Sequence, residues 1–294
     1  MCFTVCNNTV RKLKKTHIAL IGGGSPWLLS NDVDMDALTR MFGVHYHVIG
    51  IESLMESYKQ HTKLSRDNVA VYQKILKNAA GLTNCTREDV YDSVRMYQAL
   101  DDLMVYHSCN ALTVKCFDFI QGCKVTACTA LALFNQAGIP AACEGDVPSL
   151  MSMMFAGELT GEPVFMANPI YFNREQNTID IAHCSVPFSM TNTYGLNSHF
   201  ESGISIGVEG YFAPGEPYTI VKWMGNILER FFVSQGVTVE SEHTDYMCRT
   251  QMKLQMEQPL DDFHLNGMGN HVLLVRGRHK KAFHEWNQYM IYRR

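Results

Sequence analysis

AACEGDVPSLMSMMFAGELTGEPVFMANP, from Ala141 to Pro169, is the stretch that decides the fold. The apolar run Ile139 to Cys143 ends at a carboxylate, Glu144, and Gly145 lets the backbone approach a neighbour closely. A helix-like segment follows, with Asp146 placed to cap it. A second apolar run, Val164 to Ala167, ends at Asn168, 24 positions after Glu144. That interval fits a strand end, a helix and the next strand. The two side chains then emerge at one sheet edge, or face each other across a domain junction. Ligands of open α/β sheets collect at the carboxyl edge. A carboxylate and an amide oxygen in one crevice suit a divalent cation such as Mn²⁺ or Mg²⁺. The best third ligand elsewhere in the chain is His271, in GMGNHVLLV.

Upstream of this stretch, strands alternate with helices. His17 to Ile21 is a short apolar run feeding GGGSPW, whose glycines do not form the G-x-G-x-x-G spacing of a dinucleotide site. Helical spacing covers Asp34 to Phe42 and about Ser53 to Asn78, and strands are expected at Tyr46 to Ile51 and Ala111 to Cys116. Thr86-Arg87-Glu88-Asp89 opens a long helix with a capping signal that runs to about Tyr106. Such alternation argues for a parallel sheet covered on both faces. The close-set methionines of LMSMMFAGEL read as core packing. Beyond Asn168 the texture changes to short β-prone runs, Thr178 to Val186, Gly203 to Tyr211, Tyr218 to Trp223 and Val237 to Glu240. These read as antiparallel sheet or a small barrel. The expected fold class is α/β, a Rossmann-like parallel-sheet domain followed by a mostly antiparallel, β-barrel-like domain. The expected division is a leader over residues 1–16, the sheet domain over 17–157 and the β-rich domain over 158–294. The tail from Gly277 to Arg294 reads as helical and basic.

Composition narrows the function. The chain has 294 residues, 46% hydrophobic and 18% charged, with a formal net charge of −4, and it carries no long basic run. A nucleic-acid partner is not expected, since such proteins usually carry a basic patch. No apolar run reaches the ~18 residues of a membrane span, and the N-terminus has its charges after its apolar part, the reverse of a signal peptide. The ten cysteines form no C-x-x-C pair and read as reduced thiols of a cytoplasmic protein.

Each chemical candidate has a plainer competitor. Glu144 reads as a site carboxylate or one half of a buried salt bridge, and Asn168 as a ligand or a turn amide. His271 reads as a ligand or a satisfied core histidine. His199 and Glu201, in SHFES, share one face if that segment is a strand, with His183 a possible third member; they bind a metal, pass protons, or form a surface ion pair. His243, His279 and His284 lie in polar surroundings and read as exposed. Serine-hydrolase, zincin and phosphate-loop motifs are absent from the sequence.

These residues resemble the L-fucose isomerase family, and more distantly the L-arabinose isomerases. In that family a metal-binding glutamate among small residues precedes an acidic residue, a helix and L-T-G; here the positions are Glu144-Gly145-Asp146 and Leu159-Thr160-Gly161. The family's second ligand is an aspartate closing an F-A-D-like strand end, here Met166-Ala167-Asn168. Its histidine ligand sits in a G-x-N-H-like segment, matched in part by Gly269-Asn270-His271-Val272. The motifs keep their order, and the likeness extends over most of the chain from about His17. It implies a Rossmann-like domain before a barrel-like one, and interconversion of an aldose and a ketose through an enediol. It also implies Mn²⁺ or another divalent cation, a small sugar substrate, and a cytoplasmic homo-oligomer. On this resemblance Glu144, Asn168 and His271 bind the metal and Glu144 and Asp146 carry the chemistry. Contacts to the substrate fall to His199, Glu201 and Lys115. Two departures stand out. Asn168 replaces the aspartate, removing one negative charge and one base. The family's N-terminal domain has no counterpart, so a shortened member, or half of a split enzyme served by a separate N-terminal chain, is expected. A non-catalytic sugar-binding or regulatory relative is the alternative.

Overall fold

The computed structural model describes residues 3–29, 31–240, 243–262 and 269–293. Cys2 and Arg294 therefore lie outside the described residues. The first half contains α1 (Phe3–Leu13), β1 (His17–Ile21), α2 (Met35–Phe42), β2 (His45–Ile49), α3 (Ile51–Gln60) and α4 (Arg66–Asn78). There follow β3 (Leu82–Thr83), α5 (Arg87–Tyr106), β4 (Ala111–Val114), α6 (Phe117–Cys123), α7 (Cys128–Gln136), β5 (Ala141–Ala142) and α8 (Val147–Thr160). The second half is β6 (Val164–Asn173), β7 (Thr178–His183), β8 (Thr193–Asn197), β9 (Gly207–Tyr211), β10 (Pro217–Met224), β11 (Arg230–Val239), β12 (Thr250–Met256), β13 (Val272–Arg276) and α9 (Lys280–Arg293).

The protein is an α/β fold with two sheet systems. Strands β2, β1, β4 and β5 form a parallel sheet in that order, and β10, β11, β12, β7, β6 and β13 close into an antiparallel barrel. A small third sheet pairs β3, β8 and β9. All four residues of β4 are buried, as is expected of a strand covered on both faces.

Helix α8 joins the two systems. It is apolar on every side, and such a helix is stable only inside a core. Residues 147–156 are all buried, packed on the parallel strands, on β6, β10 and β13 of the barrel, and on α1 and α9. Its methionines 151, 153 and 154 are core residues, as expected. Its two buried serines are both used. Ser152 Oγ donates to Trp223 O at 3.3 Å and accepts from Trp223 N at 3.1 Å, while Ser149 serves the helix cap described below. Residue 157, where the sequence suggests a boundary, lies inside this helix.

Several sequence expectations need correction. The segment read as a leader forms α1, with Cys6, Val10 and Leu13 buried. Their i, i+4, i+7 spacing makes one apolar face, and Tyr289 on α9 donates to Asn7 at 2.6 Å. The helix expected over Ser53 to Asn78 is two helices, because Ser65 caps α4 by accepting from Asn68 N. The cap of α5 is as expected: Thr86 Oγ1 accepts from Asp89 N, and Asp89 Oδ2 accepts from Thr86 N. Strand β6 does not stop at Asn168 but continues to Asn173. Pro169 is accommodated because the register against β7 shifts between Pro169 and Tyr171, where a ladder hydrogen bond is not needed. Helix α6 and strand β12 were not expected, and β11 is longer than the run Val237 to Glu240 suggests. Among the described residues no single helix is long and apolar enough to cross a membrane; α6 and α7 meet the length and composition test only together, as a bent pair.

Candidate functional site

Strand β5 delivers Cys143 and Glu144 to the carboxyl edge of the parallel sheet. Glu144 has φ 60 and Gly145 φ 66, so two successive residues are left-handed. For a non-glycine residue this conformation is strained by roughly 1–2 kcal/mol, and strain of this kind collects at functional sites. The turn is held from outside: Gly145 N donates to Val114 O at 3.1 Å, and Asn31 bonds Gly145 O and Val147 N, each at 3.1 Å. A Cβ on Gly145 would sit 2.5 Å from Gly23 O. Gly145→Ala is therefore expected to destabilise the fold by about 2–4 kcal/mol, a left-handed penalty plus backbone overpacking. Urea unfolding measures it; a loss below ~1 kcal/mol would show that the glycine turn at residues 22–24 gives way.

Asp146 caps α8. Its Oδ1 accepts from Ser149 N at 2.7 Å and its Oδ2 from Ser149 Oγ at 2.6 Å and from His271 Nδ1 at 2.8 Å. Lys222 Nζ, on β10, stands 3.5 Å from Asp146 Oδ2 and donates to Ser149 Oγ; both side chains of this pair are fully buried. On its other side His271 presents Nε2 to Glu144 Oε1 at 3.5 Å, an ion-pair distance without hydrogen-bond geometry, and that nitrogen is buried with no other partner. A line of charge thus runs from Lys222 through Asp146 and His271 to Glu144.

The charge states follow from these neighbours. Burial alone would raise the Asp146 carboxyl, but Lys222, His271 and Ser149 outweigh it and hold it well below the usual carboxylate range. Burial likewise pushes Glu144 up, and contact with His271 more than reverses this. Burial works against a charged His271, yet the flanking Asp146 and Glu144 raise it above the ordinary histidine value. His183 is drawn down to about 4 by burial and by His271, so it is a neutral imidazole near pH 7. Burial and then the charge of Glu144 raise Glu201.

Glu144, at the carboxyl edge of the parallel sheet, and Asn168, on β6 of the barrel, line the same cavity. With His183, His199 and Glu201 they line a cavity of about 20 Å³. The cavity wall also holds Cys116, Cys128, Cys143, Cys184 and Cys248. Among the described residues, Cys143, Glu144 and His183 can hold a metal ion, their ligand atoms lying within 4.8 Å of one another.

The other candidates fall as follows. Asn168 lines the cavity and donates through Nδ2 to Asn270 O at 3.2 Å. His199 and Glu201 come together at 3.7 Å, but on a turn rather than the expected strand, where His199 Nδ1 also meets Ser202 Oγ at 2.9 Å. Asp146 and His271 are fully buried and are not part of the cavity wall; His271 keeps Nε2 3.5 Å from Glu144 Oε1, within reach of an ion there, while Asp146, bonded to His271 Nδ1, has a positioning place instead of one facing a substrate. Lys115 is not brought into the cluster: it pairs with Asp118 at 2.9 Å and lies over the Trp27 ring. His284 is exposed as expected, whereas His243 is half-buried, stacked on Tyr211 at 4.5 Å and 3.8 Å from Glu209, and His279 is half-buried against Arg276 O. Sequence reading missed Lys222, although a lone charge inside YTIVKWM was a signal, and it missed the convergence of the cysteines.

No family model matches the chain. Over 149 residues it is 33% identical to the sulfoquinovose isomerase of Clostridium sp. (strain MSTE9), a match covering 50% of this chain and 33% of that protein. It is also 22% identical over 251 residues to the sulfoquinovose isomerases of Priestia aryabhattai and Priestia megaterium (strain ATCC 12872 / QMB1551), covering 79% of this chain and 55% of each relative. The chain therefore spans between a third and just over half the length of the curated relatives it matches.

Proposed function

We propose that the chain carries the reacting centre of a cation-assisted aldose–ketose isomerase, similar to the L-fucose isomerases. The observation that carries this reading is Glu144: a carboxylate kept ionised at a cavity by a buried line of partners. Similarity to sulfoquinovose isomerases supports the reaction class. The residues fit a divalent cation, since a carboxylate, two imidazoles and an amide converge there and His271 Nε2 is a buried nitrogen without a hydrogen bond. On the family pattern Glu144, Asn168 and His271 would hold Mn²⁺ or a related ion. When bound, such an ion supplies Lewis acidity to the sugar's adjacent oxygens and so acidifies the C–H between them.

Glu144 takes the proton from C2 of the aldose, giving an enediol, and returns it to C1 to give the ketose. His271 fixes the carboxylate, and Asp146 with Lys222 fixes His271. Glu201, raised in pKa and on the same cavity, is placed to move the hydroxyl proton between O2 and O1. A cavity of about 20 Å³ has room for about one water molecule, not a hexose. Most of the sugar would therefore lie outside it, reached past Glu201, whose side chain is 45% exposed. The test is solvent-hydrogen exchange at C2 across a panel of aldoses that includes sulfoquinovose; product ketose with exchange supports the reading.

A second reading, a sugar-binding relative without turnover, is favoured by Asn168, which leaves Glu144 and Glu201 as the carboxylates on the cavity. Binding without exchange would select it. Asn168→Asp, which restores a charge, is expected to tighten Mn²⁺ binding by roughly tenfold or more, because ligand charge sets the affinity of such sites. Electron paramagnetic resonance of a Mn²⁺ titration measures this, and unchanged or weaker binding would place residue 168 away from the ion.

A further inference from the structure

Glu144 belongs to a second constellation, which the family's ligand pattern does not include. Its carboxylate, the Cys143 thiol and the His183 imidazole have ligand atoms within 4.8 Å of one another. Cys116 Sγ lies 3.2 Å from Cys143 Sγ. Ligands at the usual ~2.0–2.3 Å from a tetrahedral Zn²⁺ stand about 3.3–3.8 Å apart, so modest side-chain rotations bring Cys143, Glu144 and His183 to one ion, with the Cys116 thiol beside Cys143 for the fourth position. They come from three places fixed by the fold: the start of α6, the turn after β5 and the end of β7. Cys116, Cys143 and His183 are each buried, at 6%, 6% and 4% exposure. Ser185 Oγ, 2.7 Å from His183 Nδ1, fixes the ring and leaves Nε2 for an ion. The cavity these groups line, about 20 Å³, is of the size that holds one water, so a single ion fits it.

The donor chemistry discriminates between metals. Mn²⁺ prefers carboxylate, carbonyl and water oxygens, whereas thiolates select softer ions. Two thiols beside one carboxylate and one imidazole make a poor cage for Mn²⁺ and a good one for Zn²⁺ or Co²⁺. We propose that Cys116, Cys143, Glu144 and His183 hold one borderline-soft divalent cation, Zn²⁺ or Co²⁺, in preference to Mn²⁺. This deepens the reading above and rests on its claim that the Glu144 cavity is a cation site. The thiols would bind as thiolates and release their protons to solvent.

The experiment titrates the chelator-treated full chain with Co²⁺ alone and follows its absorption. The expected result is one ion per chain with a thiolate-to-cobalt charge-transfer band, bleached by Zn²⁺ and untouched by equal Mn²⁺. Cys143→Ser and Cys116→Ser should each cut the band and weaken binding by at least about 100-fold, the upper end of what the loss of a mere supporting partner costs. Cys109→Ser, outside the cavity, should leave the band unchanged, and circular dichroism checks that the variants fold. If Cys143→Ser does not fold, the wild-type spectrum still decides. Co²⁺ bound without a thiolate band, or a band that survives both cysteine variants, would overturn the proposal while leaving the isomerase reading intact. Failure of both Co²⁺ and Mn²⁺ to bind would overturn both.

Discussion

Glu144→Gln is expected to lower sugar isomerisation by about 10²–10⁴-fold, the scale of a lost general base. The amide keeps the shape and the strained left-handed turn, so native packing should persist. It removes the charge that faces His271 Nε2 at 3.5 Å and cannot accept the C2 proton. The loss should therefore appear in turnover and in solvent exchange at C2 together, with a thermal midpoint near that of wild type. Unchanged exchange in the variant would remove Glu144 from the reaction. A loss explained by unfolding would show in the melting curve before it showed in the rate.

Lys222→Met carries the other large effect, this time on stability. Lys222 and Asp146 are both fully buried, and the ammonium shares with His271 a carboxylate that also caps α8. Breaking one side of a buried pair costs about 3–5 kcal/mol, because the remaining charge has no water to turn to. A domain's whole stability is only ~5–15 kcal/mol, so the variant should lose much of its urea resistance. The double variant Lys222→Met, Asp146→Asn should regain part of the loss, since no unpaired charge remains. The pair also sets a pH dependence. Asp146 is held below the usual carboxylate range in the folded chain, so its contribution is present above the unfolded value, near 3.9. It is lost as pH falls through the lower folded value. Wild type should therefore weaken on acidification more than Lys222→Met does; equal acid sensitivity would show that Lys222 does not govern Asp146.

The sequence made the parallel sheet legible because its strands are short apolar runs between amphipathic helices, and β4 and β5 fall where that pattern places them. The barrel was legible as a class, yet β12 was missed: TQMKLQM alternates polar and apolar without strong β-formers. Helix α1 is hard to read from sequence because the basic cluster Arg11, Lys12, Lys14 and Lys15 at its end resembles a solvated leader, while its buried face is only Cys6, Val10 and Leu13. In the site, Glu144 and His271 stood out as polar groups against apolar runs, and the structure joins them through one contact. Asp146 was legible as a cap, but its burial behind His271 depends on Lys222, which comes from the other sheet system. The cysteines had no local spacing to betray them. Cys116, Cys143, Cys184 and Cys248 converge only because the carboxyl edge of the parallel sheet abuts the ends of β7 and β12. His199 and Glu201 were paired for a reason that does not hold, strand alternation, and meet instead on a turn.

The most direct test of the central claim is proton nuclear magnetic resonance of a sugar panel in D₂O, with the cation-loaded chain and with Glu144→Gln. Deuterium is expected to enter at the carbon beside the carbonyl of at least one aldose, accompanied by its ketose, with neither in the variant. Sugar that binds the loaded chain yet keeps its C2 hydrogen would contradict it.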